Sequence, residues 1–215
     1  MVENVISCLS QKGGVGKSTF ARLIARTYAS AGWSVKIADF NVNQLTSTKW
    51  AARRMALGAT PEIAAEVCTT IRSIRRDNYD LIVADGTPDS DQSSLEIARI
   101  ATLNVIPTGL TLDDLEPQIL FANELVERGV DKETILFVLN KTTDSKLAVQ
   151  EARQYLSSIY RVAETDLGHK TGYQMAQNVG LTIAETNFPT LNERADQLAA
   201  EIVSRVNEIE EKYNG

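Results

Sequence analysis

The chain is short of the residues that build metal centres, disulfide frameworks and membrane spans. It has one histidine, His169, which excludes a histidine-rich metal site. It has two cysteines, Cys8 and Cys68, far apart and without C-x-x-C spacing. Both are expected to be buried thiols in a reducing cytoplasm, and they are not spaced to bridge an iron cluster. No apolar run reaches the roughly 18 residues of a transmembrane helix. The N-terminus lacks the basic segment and apolar stretch of a signal peptide. Nor is there an internal repeat, linker or low-complexity segment, so residues 1–215 are expected to form a single domain. Positive charge is also scarce: 22 Lys and Arg against 28 Asp and Glu give a net charge of −6. The imbalance is uneven, +2 over residues 1–110 and −8 over 111–215, which excludes a general nucleic-acid coat and leaves only a local basic patch.

What is present is a glycine loop in a telling place. The apolar run 5–9 precedes Ser-Gln-Lys-Gly-Gly-Val-Gly-Lys-Ser-Thr at 10–19, and a helical pattern at Phe20, Leu23, Ile24 and Tyr28 follows. Strand, glycine loop, helix is the context of a phosphate-binding loop. Gly13, Gly14 and Gly16 let backbone N–H groups of the loop, those of Val15 and Thr19 included, turn toward an anion. The helix beginning near Lys17 adds its positive end. Lys17 reaches outer phosphates and the Ser18 hydroxyl suits Mg²⁺. A second cation, Lys12, would offset phosphate charge that Mg²⁺ and Lys17 leave uncompensated.

Two carboxylates are expected to meet this loop. Residues 34–38 predict a strand delivering Asp39 at its C-terminal end, and 80–84 predict a buried strand ending at Asp85. Ligands of open α/β sheets collect at that edge, so Asp39 and Asp85 join Ser18 as Mg²⁺ residues. Further strands are expected at 61–67, 103–107, 134–139 and 160–165. Helices are expected at 69–76 (Arg72, Arg75 and Arg76 outward), 93–101, 115–128 (Leu115, Ile119, Leu120, Ala122 and Leu125 inward) and 146–157. Asn192 is expected to cap a closing helix. Arg53 and Arg54 belong either to a solvated face or to a dimer contact. The alternation implies a doubly wound, mostly parallel α/β sheet with helices on both faces.

Lys-Gly-Gly-Val-Gly-Lys-Ser-Thr at 12–19 resembles the deviant Walker A loop of the ParA/MinD superfamily of ATPases. Residues 39–50 are similar to the D-x-D-x-Q-Q-x-T-S-x-x-W segment of small ParA-type proteins, 80–88 to their Walker B strand closed by D-x-P, and 167–185 to a segment of partition ATPases. The likeness runs from residue 4 to about 205. It implies an ATPase that binds ATP or ADP with Mg²⁺, with Lys12 reaching the nucleotide of a second subunit in an ATP-bound homodimer. It further implies non-specific DNA binding, nucleoid association in the ATP form, and a ParB-type adaptor that stimulates hydrolysis. Asn140 would meet the adenine edge, and Lys170 is a candidate DNA contact. Asn41 departs from the pattern, standing where the family has a water-orienting aspartate. An amide hydrogen-bonds water but accepts no proton, so slow hydrolysis is expected, or a nucleotide-gated recruiting protein with little turnover. The acidic end of the closing helix, Glu208, Glu210 and Glu211, is the wrong charge for the membrane-binding tail of MinD-like relatives. A small-molecule kinase-like synthetase is disfavoured by Lys12 and the 167–185 segment.

Overall fold

The computed structural model describes residues 4–74, 78–87 and 92–214. Aliphatic runs without a polar face form strands buried on both sides, the signature of parallel sheets. In chain order the elements are β1 (Asn4–Cys8), α1 (Lys17–Ser30), β2 (Val35–Asp39), α2 (Thr46–Leu57), β3 (Ala64–Val67), α3 (Ile71–Ile74), β4 (Leu81–Asp85), α4 (Gln92–Ile100), β5 (Leu103–Thr108), α5 (Leu112–Glu127), β6 (Ile135–Thr142), α6 (Lys146–Ser157), β7 (Arg161–Val162), β8 (Leu167–Gly168), α7 (Thr171–Asn178) and α8 (Pro189–Asn214).

The strands pair in the order β3-β2-β4-β1-β5-β6-β7, with β8 also on β6. Every pairing among the described residues is parallel. Along β6, Leu136 and Val138 enter one core with Phe20, Leu23, Trp50 and Ile202, while Ile135, Phe137 and Leu139 enter the other with Ile74, Leu95, Leu115 and Leu156. Helices therefore cover both faces, the doubly wound architecture expected. The register matters most for function. Cys8 pairs with Asp85 and Asp85 pairs with Asp39, so the ends of β1, β4 and β2 lie level at one sheet edge. Neither cysteine is in a disulfide and both are buried, and burial pushes the Cys8 thiol well above its usual range. Among the described residues no helix is long and apolar enough to cross a membrane.

Several expected elements are corrected. The strand at 160–165 ends at Val162, because the N–H groups of Glu164 and Thr165 donate to the Glu201 carboxylate on α8 and not to a ladder. The strand at 61–67 starts only at Ala64, since Pro61 has no N–H for a ladder and its carbonyl accepts from Arg54 Nε at 2.9 Å. α5 starts at Leu112, where the Thr111 carbonyl accepts from Asp114 and Leu115. Leu120 is 67% exposed, not inward, because Leu115, Ile119, Ala122 and Leu125 define the opposite face. α8 begins at Pro189, a favoured first residue of a helix. Asn192 lies inside it and clasps Thr186, accepting from its N–H and donating to its carbonyl. In α3 Ile74 is buried and Arg72 exposed; Arg75, Arg76 and Pro88 lie outside the described residues.

Candidate nucleotide site

The loop between β1 and α1 has a conformation only glycine accepts comfortably. Gly16 has φ +119°, and a Cβ there would collide with the Asn140 amide. That amide donates to the Val15 carbonyl at 2.6 Å, so Asn140 pins the loop from behind. Lys141, next along β6, donates to the Gly14 carbonyl at 2.6 Å. Within the loop, Lys17 Nζ donates to the Lys12 carbonyl at 3.1 Å and the Lys12 N–H donates to Ser10 Oγ at 3.0 Å. The loop faces a cleft of about 330 Å³. Gly13, Gly14, Gly16, Lys17, Ser18 and Thr19 form its floor, Asn41, Gln44 and Thr46 one wall, and Gln174 and Gln177 of α7 the other. A larger cavity, about 600 Å³, opens at the sheet edge beside β7. It is far from the glycine loop, and its Arg161, Arg205 and Glu208 are engaged in ion pairs.

Asp39 and Asp85 lie buried under this cleft. Asp39 Oδ2 accepts from the N–H groups of Ser47 and Thr48 at 2.9 and 3.0 Å, capping the first turn of α2, and Oδ1 accepts from the Asn41 N–H. Asp85 Oδ2 accepts from Ser47 Oγ at 2.6 Å, and the Ser18 hydroxyl lies near enough to pull the carboxyl down. Its other oxygen, Oδ1, is buried without a partner. Burial pushes Asp85 up to about 6, against the pull of Ser47 and Ser18 and with the help of the Asp39 charge. An orphaned carboxylate oxygen beside a serine hydroxyl suits a hydrated divalent cation. Among the described residues no group of three or more His, Cys, Asp or Glu is placed to hold a metal unaided. Mg²⁺ held by Ser18, Asp85 and Asp39 would therefore need phosphate and water to complete its shell.

The remaining candidates separate. Asn41 bends over its own loop, its side chain donating to Gln44 Oε1 and accepting from the Gln44 N–H while it lines the cleft. Thr19 Oγ1 donates to Gln177 Oε1 at 3.1 Å. The Lys12 ammonium lies against Asp114 on α5. Burial raises Asp114, but hydrogen bonds from Lys12 and Thr111 outweigh it and hold the carboxyl below its ordinary range. Lys170 is exposed and paired with Asp144 at 2.9 Å. His169 is exposed and hydrogen-bonded to Gln174.

Sequence reasoning missed Arg22 and misread Arg54. Arg22, one turn beyond Ser18, is buried and donates to the Thr46 carbonyl at 2.9 Å and to Gln177 Oε1 at 3.1 Å, joining both walls of the cleft. Burial lowers it to about 10. Arg54 lies neither on a solvated face nor free for a dimer contact. It is 1% exposed and grips Glu185 with two bonds of 2.9 Å. Trp50 lies between the guanidinium groups of Arg22 and Arg54, 5.4 and 5.5 Å from its ring. Gly180, at φ +91°, lets the turn after α7 press on the Arg54 backbone, where a side chain would collide. The i, i+4 spacing of Ser18 and Arg22 was the one available signal; nothing marked Glu185 as a partner of Arg54.

A glycine loop at a strand-to-helix turn, two level strand-end carboxylates beneath it and a doubly wound parallel sheet define a phosphate-loop nucleotide-binding protein. Residues 6–170, well over half of the chain, match the model of the CobQ/CobB/MinD/ParA nucleotide-binding domain, and the chain belongs to that family. No curated protein sequence matches it. Among solved structures it is similar to the septum site-determining protein MinD of Pyrococcus horikoshii OT3 complexed with Mg-ADP. The TM-score is 0.73 at 13% identity, over 93% of this chain and 95% of that one. It is also similar to Aquifex aeolicus MinD in a MinC:MinD cell division complex, with TM-score 0.72 at 17% identity over 94% and 96% of the chains. A plasmid partition protein of Borrelia burgdorferi gives TM-score 0.66 at 15% identity over 94% and 98%. At these identities the shared property is the fold.

Proposed function

We propose that this chain acts as a ParA-type ATPase, a single unit over residues 1–215. In this reading it binds Mg-ATP, closes into a homodimer around it, binds DNA non-specifically and positions a plasmid, chromosome or other cargo. The observation that carries the reading is Lys12 at the front of a loop whose floor holds Ser18 near Asp85, itself level with Asp39. The loop N–H groups and Lys17 hold the phosphates, and Lys12 meets the nucleotide of a second subunit. Mg²⁺, when bound by Ser18, Asp85 and Asp39, neutralises phosphate charge. Asn41 orients water from the cleft wall without taking its proton, so turnover is slow. Asn140 supports the loop and borders the adenine end. A ParB-type adaptor would use the exchange between monomer and dimer as a switch, and the Aquifex complex with MinC is the supporting parallel for an adaptor. The protein is cytoplasmic in this reading and joins the nucleoid through its ATP dimer, with Lys170 one contact.

Light scattering after size-exclusion tests it. Wild type is expected to be dimeric in Mg-ATP and monomeric in ADP, and Lys12→Ala monomeric in both. A wild type that binds ATP yet stays monomeric would overturn the sandwich. Asn41 favours a second reading, a nucleotide-gated recruiting protein with little turnover. Asn41→Asp is expected to raise steady-state phosphate release by about a hundredfold or more, within the range that a positioned general base contributes. Rapid turnover by the wild type excludes the low-turnover reading.

A further inference from the structure

We propose that Asp114 is a positioning residue for Lys12: it holds the ammonium within its own subunit and so opposes the crossing on which the ATP dimer depends. This rests on the sandwich reading above and adds an element to it, a cis rest position for the front lysine.

The rest position is built and is not a chance surface pair. Lys12 Nζ has two acceptors, the Asp114 carboxylate and, at 3.4 Å, the Asp113 carbonyl. That carbonyl is available because Pro117, four residues on, has no N–H to close the helical turn. The Asp114 carboxylate is fixed from its other side, where Oδ2 accepts from Thr111 Oγ1 at 2.9 Å. Its backbone is fixed as well, the N–H donating to the Thr111 carbonyl and the carbonyl accepting from Thr108 Oγ1. Gly109 completes the arrangement, since a Cβ at that position would collide with Oδ2. Five residues of the β5–α5 junction thus converge on one point, and the glycine loop supplies the cation.

The energetics make it a hold that can be released. A helix N-terminus disfavours a cation and favours an anion, so the Asp114 carboxylate supplies the charge that keeps Lys12 beside the start of α5, with the Asp113 carbonyl as a second acceptor. Both side chains are partly exposed, 42% and 24%, so the pair is weak enough to exchange for phosphate. One ammonium cannot serve Asp114 and a second subunit's nucleotide at once. Whatever stabilises the cis pair is subtracted from the dimer.

The test is the dimer dissociation constant in Mg-ATP, read by light scattering over a concentration series, for wild type, Asp114→Asn, Lys12→Ala and the double variant. Glu124→Gln is the control, since it removes the same charge from the exposed Glu124–Arg128 pair of α5. Asp114→Asn is expected to tighten the dimer by about three- to tenfold, the order of a partly exposed ion pair. Glu124→Gln is expected to leave it unchanged. In the Lys12→Ala background, where no dimer is expected, Asp114→Asn is expected to restore none; a dimer regained there would show that Asp114→Asn acts without Lys12 and would overturn the proposal. A wild-type dimer that Asp114→Asn leaves unchanged or weakens overturns the proposal while the sandwich stands. Wild type and Asp114→Asn both monomeric with ATP bound overturn both.

Discussion

Asp85→Asn is expected to give a protein that melts higher than wild type at neutral pH and, in the proposed reading, loses the Mg²⁺ dependence of nucleotide binding. Asp85 is buried, keeps one oxygen without a partner, and is raised by burial to about 6. Its folded-state value lies above the ordinary carboxylate value, so the folded state binds this proton more tightly than the unfolded chain does. The stabilisation from that proton is fully present below about 4 and is lost as pH rises through about 6. Above that, the ionised carboxylate destabilises the fold by roughly 3 kcal/mol, at 1.36 kcal/mol per unit. Asparagine is neutral throughout, and its amide oxygen still accepts from Ser47. In thermal unfolding without nucleotide or metal, the variant should exceed wild type at pH 7.5, and the gap should close toward pH 4. A variant melting below wild type at pH 7.5 refutes the account. In the proposed reading, binding of a fluorescent ATP analogue should lose its Mg²⁺ dependence, since the carboxylate that would organise the cation's water shell is gone.

The second large effect is on the fold. Arg54→Ala should destabilise it by about 3–5 kcal/mol, the range for breaking a buried ion pair from one side. Glu185 would keep its charge within the structure after losing both guanidinium bonds, and Trp50 would lose the cation on one face. Burial raises Glu185, but hydrogen bonds from Arg54 and the Thr182 N–H hold it below its ordinary range. Its contribution is therefore present above the ordinary carboxylate value and is lost as pH falls through its lowered folded value. Arg54→Lys should recover only part of the loss, because an ammonium cannot reproduce the two-bond fork or lie flat on the indole. Urea unfolding at pH 7 reads both variants. A loss below about 1 kcal/mol for Arg54→Ala would place the pair with ordinary surface contacts.

How far the chain could be read from its letters depended on whether the signal was local. The glycine loop, Asp39 and Asp85 were legible because each is tied to the end of a continuous aliphatic run, and parallel pairing brings such ends level. The helix faces were legible where apolar spacing was complete, and misread at Leu120, one step off the stripe. Interactions that join distant segments left no trace. Glu201 takes the N–H groups that would have extended β7, and Glu185 draws Arg54 inward from a helix that otherwise looks solvated. Asn140 was noticed through family likeness, yet its amide meets the Val15 carbonyl, a contact between residues 125 positions apart.

Arg22 has a mechanical consequence. One guanidinium holds the start of α2 through Thr46 and the face of α7 through Gln177, while its own backbone belongs to α1, which begins at the glycine loop. α1 is thus an axle with both jaws of the cleft keyed to it. The two bonds come from different nitrogens, and the α7 wall is tied to α1 a second time by Thr19 on Gln177, so drawing either wall away from α1 costs that wall its own bonds. A displacement of either wall is therefore felt at this one side chain, the point where α1, α2 and α7 are joined.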